Sequence, residues 1–543
     1  TRALSSAASD VYKRQVCLWS LVVTMASCDF LDTKPYDFVA PETFYQNEKD
    51  CTMALAGVYY TLVKGTVYGN NYSLMFSNTD DLSYFAREFD GNPVKNHGAV
   101  CNTHDAANAQ LFDTWTDLYD GINNANVLLD NIDKAEFPAD KEYVRQRIKG
   151  ETKFLRAYYH FLLVQGWYEV PIRTETVTDI ATSSKAATPH AEALDWIIQE
   201  MEDCIDMVDD KEYDKSPSHV KKTIVEGILA RVCLWRAGYP SEGGQPFYEK
   251  AAKYAKAVYD SKKHKLYQND IYAIWKMMAS DQYDPVYNES MWEAEFIGTR
   301  DDGKYTEGRM GNEIGNMQNA NCGKGYGAAF YAGSLILWDL YEKNPGDIRR
   351  DLAMAPYQIA ANGTEKAWGK TAIVERCCGK FRREWEKSTP QHKNFTEENF
   401  PILRYADVLL MLAEAELESK GVTTLAVSAI NEVRTRAGIG KLPETISVDE
   451  LRQEIRDERG RELCFEALRK YDLIRWGIYV KTISQNLANA IEDARWSTKK
   501  ANRSGAEGFT KSTQNKHQFL PIPNKELSVN TKLEQNSYWN PKK

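Results

Sequence analysis

Carboxylates are the groups in this chain best placed to do chemistry, and they are plentiful among its 543 residues. A glycoside hydrolase needs two of them facing each other across a cleft, one as acid and one as base or nucleophile. Asp80-Asp81, in a stretch without helical period, could begin such a site. The same pair could accept hydrogen bonds from sugar hydroxyls, or simply make a turn. The eight histidines are dispersed and form no HExxH pair, so no helix-borne zinc site is expected. No GxSxG elbow and no calcium loop of twelve-residue spacing occurs. Gly363 to Thr371 ends in Gly369-Lys370-Thr371 like a phosphate loop, but five residues separate its glycines where the motif requires four. Gly323-x-Gly325-x-Gly327 fits no dinucleotide fingerprint. These residues predict no catalytic centre, no cofactor and no metal.

The bulk composition points the same way. The net charge of −9 disfavours nucleic acid or anionic lipid as the main partner, since both require concentrated Lys and Arg, and it disfavours steering of acidic substrates by the field of the whole protein. Aromatic residues reach 12%, with 31 Tyr and 13 Trp. Most must fill the core, but a surplus suits a protein that stacks flat rings on sugars.

The amino terminus carries the order basic, apolar, small: Lys13-Arg14, then Val16 to Met25, then Met25-Ala26-Ser27-Cys28. That order predicts a secretory signal over residues 1–27, since ten apolar residues fall short of the roughly 20 that span a bilayer. Residues 1–15 begin without Met and do not look like a natural start, so they stand outside the fold argument. Met25 to Cys28 looks like a lipobox, with lipid expected on Cys28. Of the ten cysteines, Cys17 falls in the signal, and the eight beyond Cys28 are scattered with no CxxC. No disulfide can be assigned from their spacing.

Helical period dominates two blocks. In the first, Trp115, Leu118, Ile122, Asn126 and Leu129 mark one face, and Phe154, Leu155, Tyr158, Phe161 and Leu162 another. Further stripes run from Leu194 to Val208, from Val220 to Ala237 and from Tyr248 to Tyr259. The second block, from Pro401, has stripes ended by Gly421 and Gly438, and Ser447 with Glu450 makes a capping box. Trp275 and Trp292 read as core, in a helical and a strand-like run respectively. The prediction is a mainly α protein whose paired helices resemble tetratricopeptide repeats. Residues 28–270 form a helical region carrying an irregular insert at 65–100, 271–400 are irregular and loop-rich, and 401–543 are helical again. The final stretch, Phe519 to Trp539, reads as extended and packed back on the surface.

Arg404-Tyr405-Ala406-Asp407-Val408-Leu409-Leu410-Met411-Leu412-Ala413-Glu414-Ala415 closely resembles the signature helix of the SusD/RagB family of nutrient-binding outer-membrane lipoproteins. The resemblance continues through Ala429 to Gly438, Glu458 to Leu463, Tyr471 to Gly477, and Phe519-Leu520-Pro521-Ile522-Pro523 with Gln535-Asn536. Cys28-Asp29-Phe30-Leu31-Asp32 is similar to the family's mature start.

The resemblance implies about four tetratricopeptide-like helix pairs with a loop-rich ligand face, lipid-anchored at the cell surface on the outer membrane. It implies a non-catalytic binder that delivers an oligosaccharide or polysaccharide to a TonB-dependent, SusC-like transporter, with peptide or glycoprotein as the alternative ligand. A glycosidase and a ligand-free helical scaffold are the remaining readings. Arg404, Asp407, Asp472 and Arg475 are expected to lock helices as ion pairs. Ligand contact is expected off the signature, in the two inserts: Tyr72, Tyr84, Arg87, Tyr305, Arg309 and Tyr326, with Asp80 and Asp81 as hydroxyl acceptors.

Overall fold

The computed structural model describes residues 44–541, apart from 96, 178–182, 210–215, 269, 285, 298–305 and 389–390. The expected signal, Cys28 and Tyr305 lie outside the described residues. The first helical block holds α1 (Glu48–Tyr60), α2 (Ala109–Asn131), α3 (Glu142–Trp167), α4 (His190–Glu202), α5 (Lys222–Ala237) and α6 (Gln245–Ser261). The second holds α7 (Tyr405–Lys420), α8 (Thr424–Arg436), α9 (Val448–Leu463) and α10 (Arg469–Arg475). Neighbours in sequence pack on one another, α2 on α3, α3 on α4 and α7 on α8, in the manner of tetratricopeptide repeats.

The starts and stops have local causes. The Asn47 side chain accepts from Lys49 N and Asp50 N to open α1, and Ser447 with Glu450 completes the capping box of α9. Gly421 ends α7 at φ +81°, a conformation that costs glycine nothing. Every residue of α7 from Tyr405 to Leu417 is buried, because α5, α6, α8 and α9 surround it. Each buried leucine there contributes roughly 1.5–3 kcal/mol. This central helix joins the two blocks into one core with α3, whose Trp167 is fully buried.

The signature charges are buried inside that core. Arg404 donates to Glu466 at 2.8 Å and to Glu462 and Glu289 at 3.1 Å. Arg436 reaches the same Glu289 and Glu462, and Arg349 donates to Glu462 at 3.0 Å and Glu458 at 2.6 Å. Asp407 accepts from Arg459 and Arg231, both at 2.7 Å, and Arg475 pairs with Glu414 and Asp472. Guanidiniums and carboxylates this deep persist because each charge meets opposite charge on more than one side.

Two elements differ from expectation. The 271–400 region carries short regular pieces: a helix at Ala273–Ala279, β2 (Ser290–Ala294), β3 (Tyr331–Gly333) and a helix at Leu335–Glu342. They are too short to show a period. Trp275 and Trp292 lie in them, buried as expected. The Phe519–Ile522 stretch is not on the surface but inside, where Leu520 N donates to Gly166 O and Asn536 Nδ2 to Trp167 O. The eight cysteines among the described residues are all buried and unpaired.

Candidate ligand-binding site

The two irregular inserts meet on one side of this frame. Strand β1 (Ser83–Phe85) in the first pairs antiparallel with β3 in the second, in the register Ser83–Gly333, Tyr84–Ala332, Phe85–Tyr331. Arg309 N donates to Gly69 O at 3.0 Å, and Ala86 N to Phe330 O at 2.7 Å. Glu307 Oε2 takes Gly65 N at 2.6 Å. Backbone contacts of this kind hold both inserts in one geometry.

Along the seam lies a patch of half-buried rings and cations. The Arg87 guanidinium sits 4.8 Å over the Phe330 ring and donates to Ala328 O. His97 stacks on Phe85 at 4.9 Å between centroids and lies 5.6 Å from Phe330. Burial, then the positive charges of Arg87 and Arg309, hold the His97 imidazole below its ordinary value, so it is neutral at pH 7. Arg309 forms an ion pair with Glu313 at 3.0 Å and lies 5.8 Å from the Phe395 ring, on which His392 packs.

The 391–395 segment leads from this patch into a cleft of about 620 Å³, lined by Lys324, Gly325, Tyr326, Glu384, Glu386 and Lys393 among others. Its walls hang on one fully buried side chain, Arg383. That guanidinium donates to the carbonyls of Tyr326 at 2.9 Å, His392 at 2.7 Å and Lys393 at 3.1 Å, and to Glu386 at 2.7 Å. Asn312 Nδ2 supports Tyr326 O from the other side at 2.7 Å. Gly325 must be glycine: its φ is +83°, and a Cβ would fall 2.7 Å from Arg383 Cζ. Burial and the neighbouring Glu398 carboxyl push Glu386 up to about 9, against the pull of Arg383.

A second cavity, of about 370 Å³, opens between Lys221, Met277, Tyr283, Met291 and Glu293. Ile274, Met277 and Met278 line it together with the rings of His264 and Tyr283, and none of the residues at the β1–β3 seam does. Among the described residues no group of three or more His, Cys, Asp or Glu could hold a metal ion.

Of the residues expected to touch ligand, Arg87, Arg309 and Tyr326 lie at this seam and cleft. Four others are placed in the frame. Tyr72 is 2% exposed, with its hydroxyl 3.1 Å from Gln165 Oε1 and its ring stacked on Tyr471. Tyr84 is fully buried and donates to Val374 O at 2.7 Å. Asp80 closes a turn, accepting from Leu82 N and Ser83 N at 2.7 and 2.9 Å. Asp81 grips Arg469 through both oxygens at 2.8 Å. The physical reason is common to all four: the 65–86 stretch, though irregular, is pressed between the helices and the second insert, so its side chains face the core. His97, Phe330, His392 and Phe395 were not singled out from sequence. Their only sequence signal is that they are rings in the same irregular stretches as Arg87 and Arg309.

Asp81 gives a direct check. Replacing Asp81 by Asn should lower stability by about 3 kcal/mol in denaturant titration, because Arg469 stays buried with its partner charge gone. Ligand affinity of the folded fraction should not change.

Comparisons with known proteins bear on family and fold. Residues 352–539 match the family model described as "SusD family", and residues 29–234 match one described as "Starch-binding associating with outer membrane". The chain belongs to the SusD/RagB family. Among its relatives, SusD-like protein P25 of Formosa agariphila is 28% identical, over 94% of this chain and 96% of that one. The starch-binding protein SusD of Bacteroides thetaiotaomicron is 24% identical, over 75% of each. A crystal structure of a SusD homolog from Bacteroides thetaiotaomicron superposes with a TM-score of 0.82 at 26% identity, covering 91% of this chain and 98% of that chain. The two family matches leave 235–351, where Arg309 and Tyr326 lie, between them.

Proposed function

We propose that this SusD/RagB protein captures a glycan at the seam of its two inserts without cutting it, and passes it to a SusC-like TonB-dependent transporter in the outer membrane. The observation that carries the reading is the joining of the inserts by β1 and β3 on a rigid helical frame, together with an open cleft lined by Tyr326, Lys324 and Lys393. A scaffold with no ligand would have no need to fix two glycine- and tyrosine-rich inserts together. Asp80 and Asp81, the pair that might have begun a glycosidase site, are taken up by backbone amides and by Arg469. The family model for residues 29–234 names starch binding and the outer membrane, which supports both ligand class and location. A lipid on Cys28 would hold the chain at the cell surface, with the domain limits of 28–270, 271–400 and 401–543 as the working division.

The test is affinity electrophoresis or calorimetry of the mature chain against a polysaccharide panel, with an assay for reducing ends alongside. Binding without new reducing ends is expected. Tyr326→Ala should weaken that binding about fivefold to tenfold, the loss of one ring contact worth about 1 kcal/mol. A silent panel with a positive peptide pull-down would move the ligand to peptide or glycoprotein. Turnover by the purified protein would end the non-catalytic reading.

A further inference from the structure

We infer that the ligand gripped at this seam is an acidic glycan, recognised through carboxylate or sulfate groups by Arg87, Lys324 and Lys393. The inference rests on the glycan-binding reading above and adds the ligand's charge to it.

The chain as a whole carries a net charge of −9, yet the seam and cleft present two guanidiniums and two exposed lysines, with Glu384 and Glu386 in the cleft wall. The carboxyls near these cations have partners of their own. Glu313 is buried against Arg309. Glu386 receives the Arg383 fork. Glu397 accepts from Lys387 N and Ser388 N, and Glu384 from the Tyr357 hydroxyl at 3.0 Å. Glu398 is 1% exposed and faces Glu386. Burial raises all three of Glu313, Glu386 and Glu398, Glu386 to about 9. Glu313 already holds Arg309, so Arg87, Lys324 and Lys393 are the cations left for a ligand.

Arg87 donates to two carbonyls, Ala86 O and Ala328 O, which fix its plane over Phe330 and leave further N–H groups of its fork unengaged by them. A planar fork held in place beside a flat ring suits a sugar that offers an apolar face and an anionic substituent together. A neutral glycan would use the rings and leave Arg87, Lys324 and Lys393 uncompensated.

The experiment uses the mature chain and three polysaccharides: polygalacturonate for carboxylate, a sulfated galactan for sulfate ester, and a neutral glucan. Expected is binding to one or both acidic polymers. Affinity should fall about tenfold or more between about 50 and 300 mM NaCl, as screening shortens the reach of exposed charges. The double variant Lys324→Gln/Lys393→Gln alters two exposed side chains and should fold normally. It should bind the acidic polymer about tenfold more weakly and show a flatter salt dependence. Which acidic polymer binds distinguishes carboxylate from sulfate, and either result supports the inference. Equal binding of the neutral glucan at all salt concentrations would overturn it while leaving glycan capture intact. Acidic binding unchanged by the double variant would also overturn it. No binding to any of the three would remove both readings.

Discussion

Glu462→Ala is expected to cost at least about 3–5 kcal/mol, and to leave little folded protein on expression, because three buried guanidiniums lose a shared partner at once. Arg404, Arg436 and Arg349 converge on that one carboxylate, at 3.1, 2.5 and 3.0 Å. Each is nearly inaccessible to water, so none can recover its lost interaction by hydration. Urea titration followed by circular dichroism would measure the loss. The exposed pair Lys256–Asp260 is the control: Asp260→Ala should leave the midpoint where it was. A Glu462→Ala protein as stable as the parent would mean the lattice does not hold the helices together.

The same lattice sets an acid limit. Burial alone would raise Asp407 and Glu414, but Arg459 and Arg231 at the first, and Arg475 at the second, hold both at about 2. Their folded values lie below the ordinary carboxylate range near 4, so the stability they contribute is complete above about pH 5 and lost as pH falls from about 4 to 2. Glu293 and Glu386 lie on the other side, raised to about 7 and about 9 chiefly by burial. Their contribution is complete below about pH 4 and is lost as pH rises through those values. Unfolding free energy measured against pH should therefore peak at mildly acidic pH, about 4 to 5, and fall on both sides.

Arg383→Ala should abolish ligand binding, by about a hundredfold or more, while the helical spectrum survives. The substitution leaves the carbonyls of Tyr326, His392 and Lys393 and the Glu386 carboxylate without their donor. Each unmet group costs roughly 1–3 kcal/mol, so the cleft walls will rearrange rather than stay unsatisfied. The helices pack without reference to Arg383, so they should not follow. Binding within twofold of the parent would show that the cleft is not where the ligand sits.

The frame was legible in the sequence because a helix announces itself within a dozen residues. The stripes from Trp115 to Leu129 and from Tyr405 to Ala413, and the Ser447–Glu450 cap, depend only on near neighbours; Ile402, read as part of the second stripe, lies in a strand at Phe400–Arg404. That Arg404 and Asp407 are paired was also readable, since buried charges cannot be left single. Their partners were not readable: Glu289 lies 115 residues before Arg404. The site suffered most from this limit. Tyr72 and Asp81 lack a helical period and so resemble surface loop residues, yet Asp81 is buried by Arg469, 388 residues away. Irregular backbone says nothing about which side faces water. Arg383 gave no sign of its role, being one of two adjacent arginines whose separate partners only the fold reveals.

The insertion of Phe519–Ile522 into the interior has a consequence for how the molecule is made. Gly166 and Trp167, in the first third of the sequence, receive their final neighbours from residues synthesised more than 350 positions later. The early helices can form on the ribosome, but their shared interior stays incomplete until the last segment arrives. A polypeptide in that state remains loosely assembled until its final residues are made.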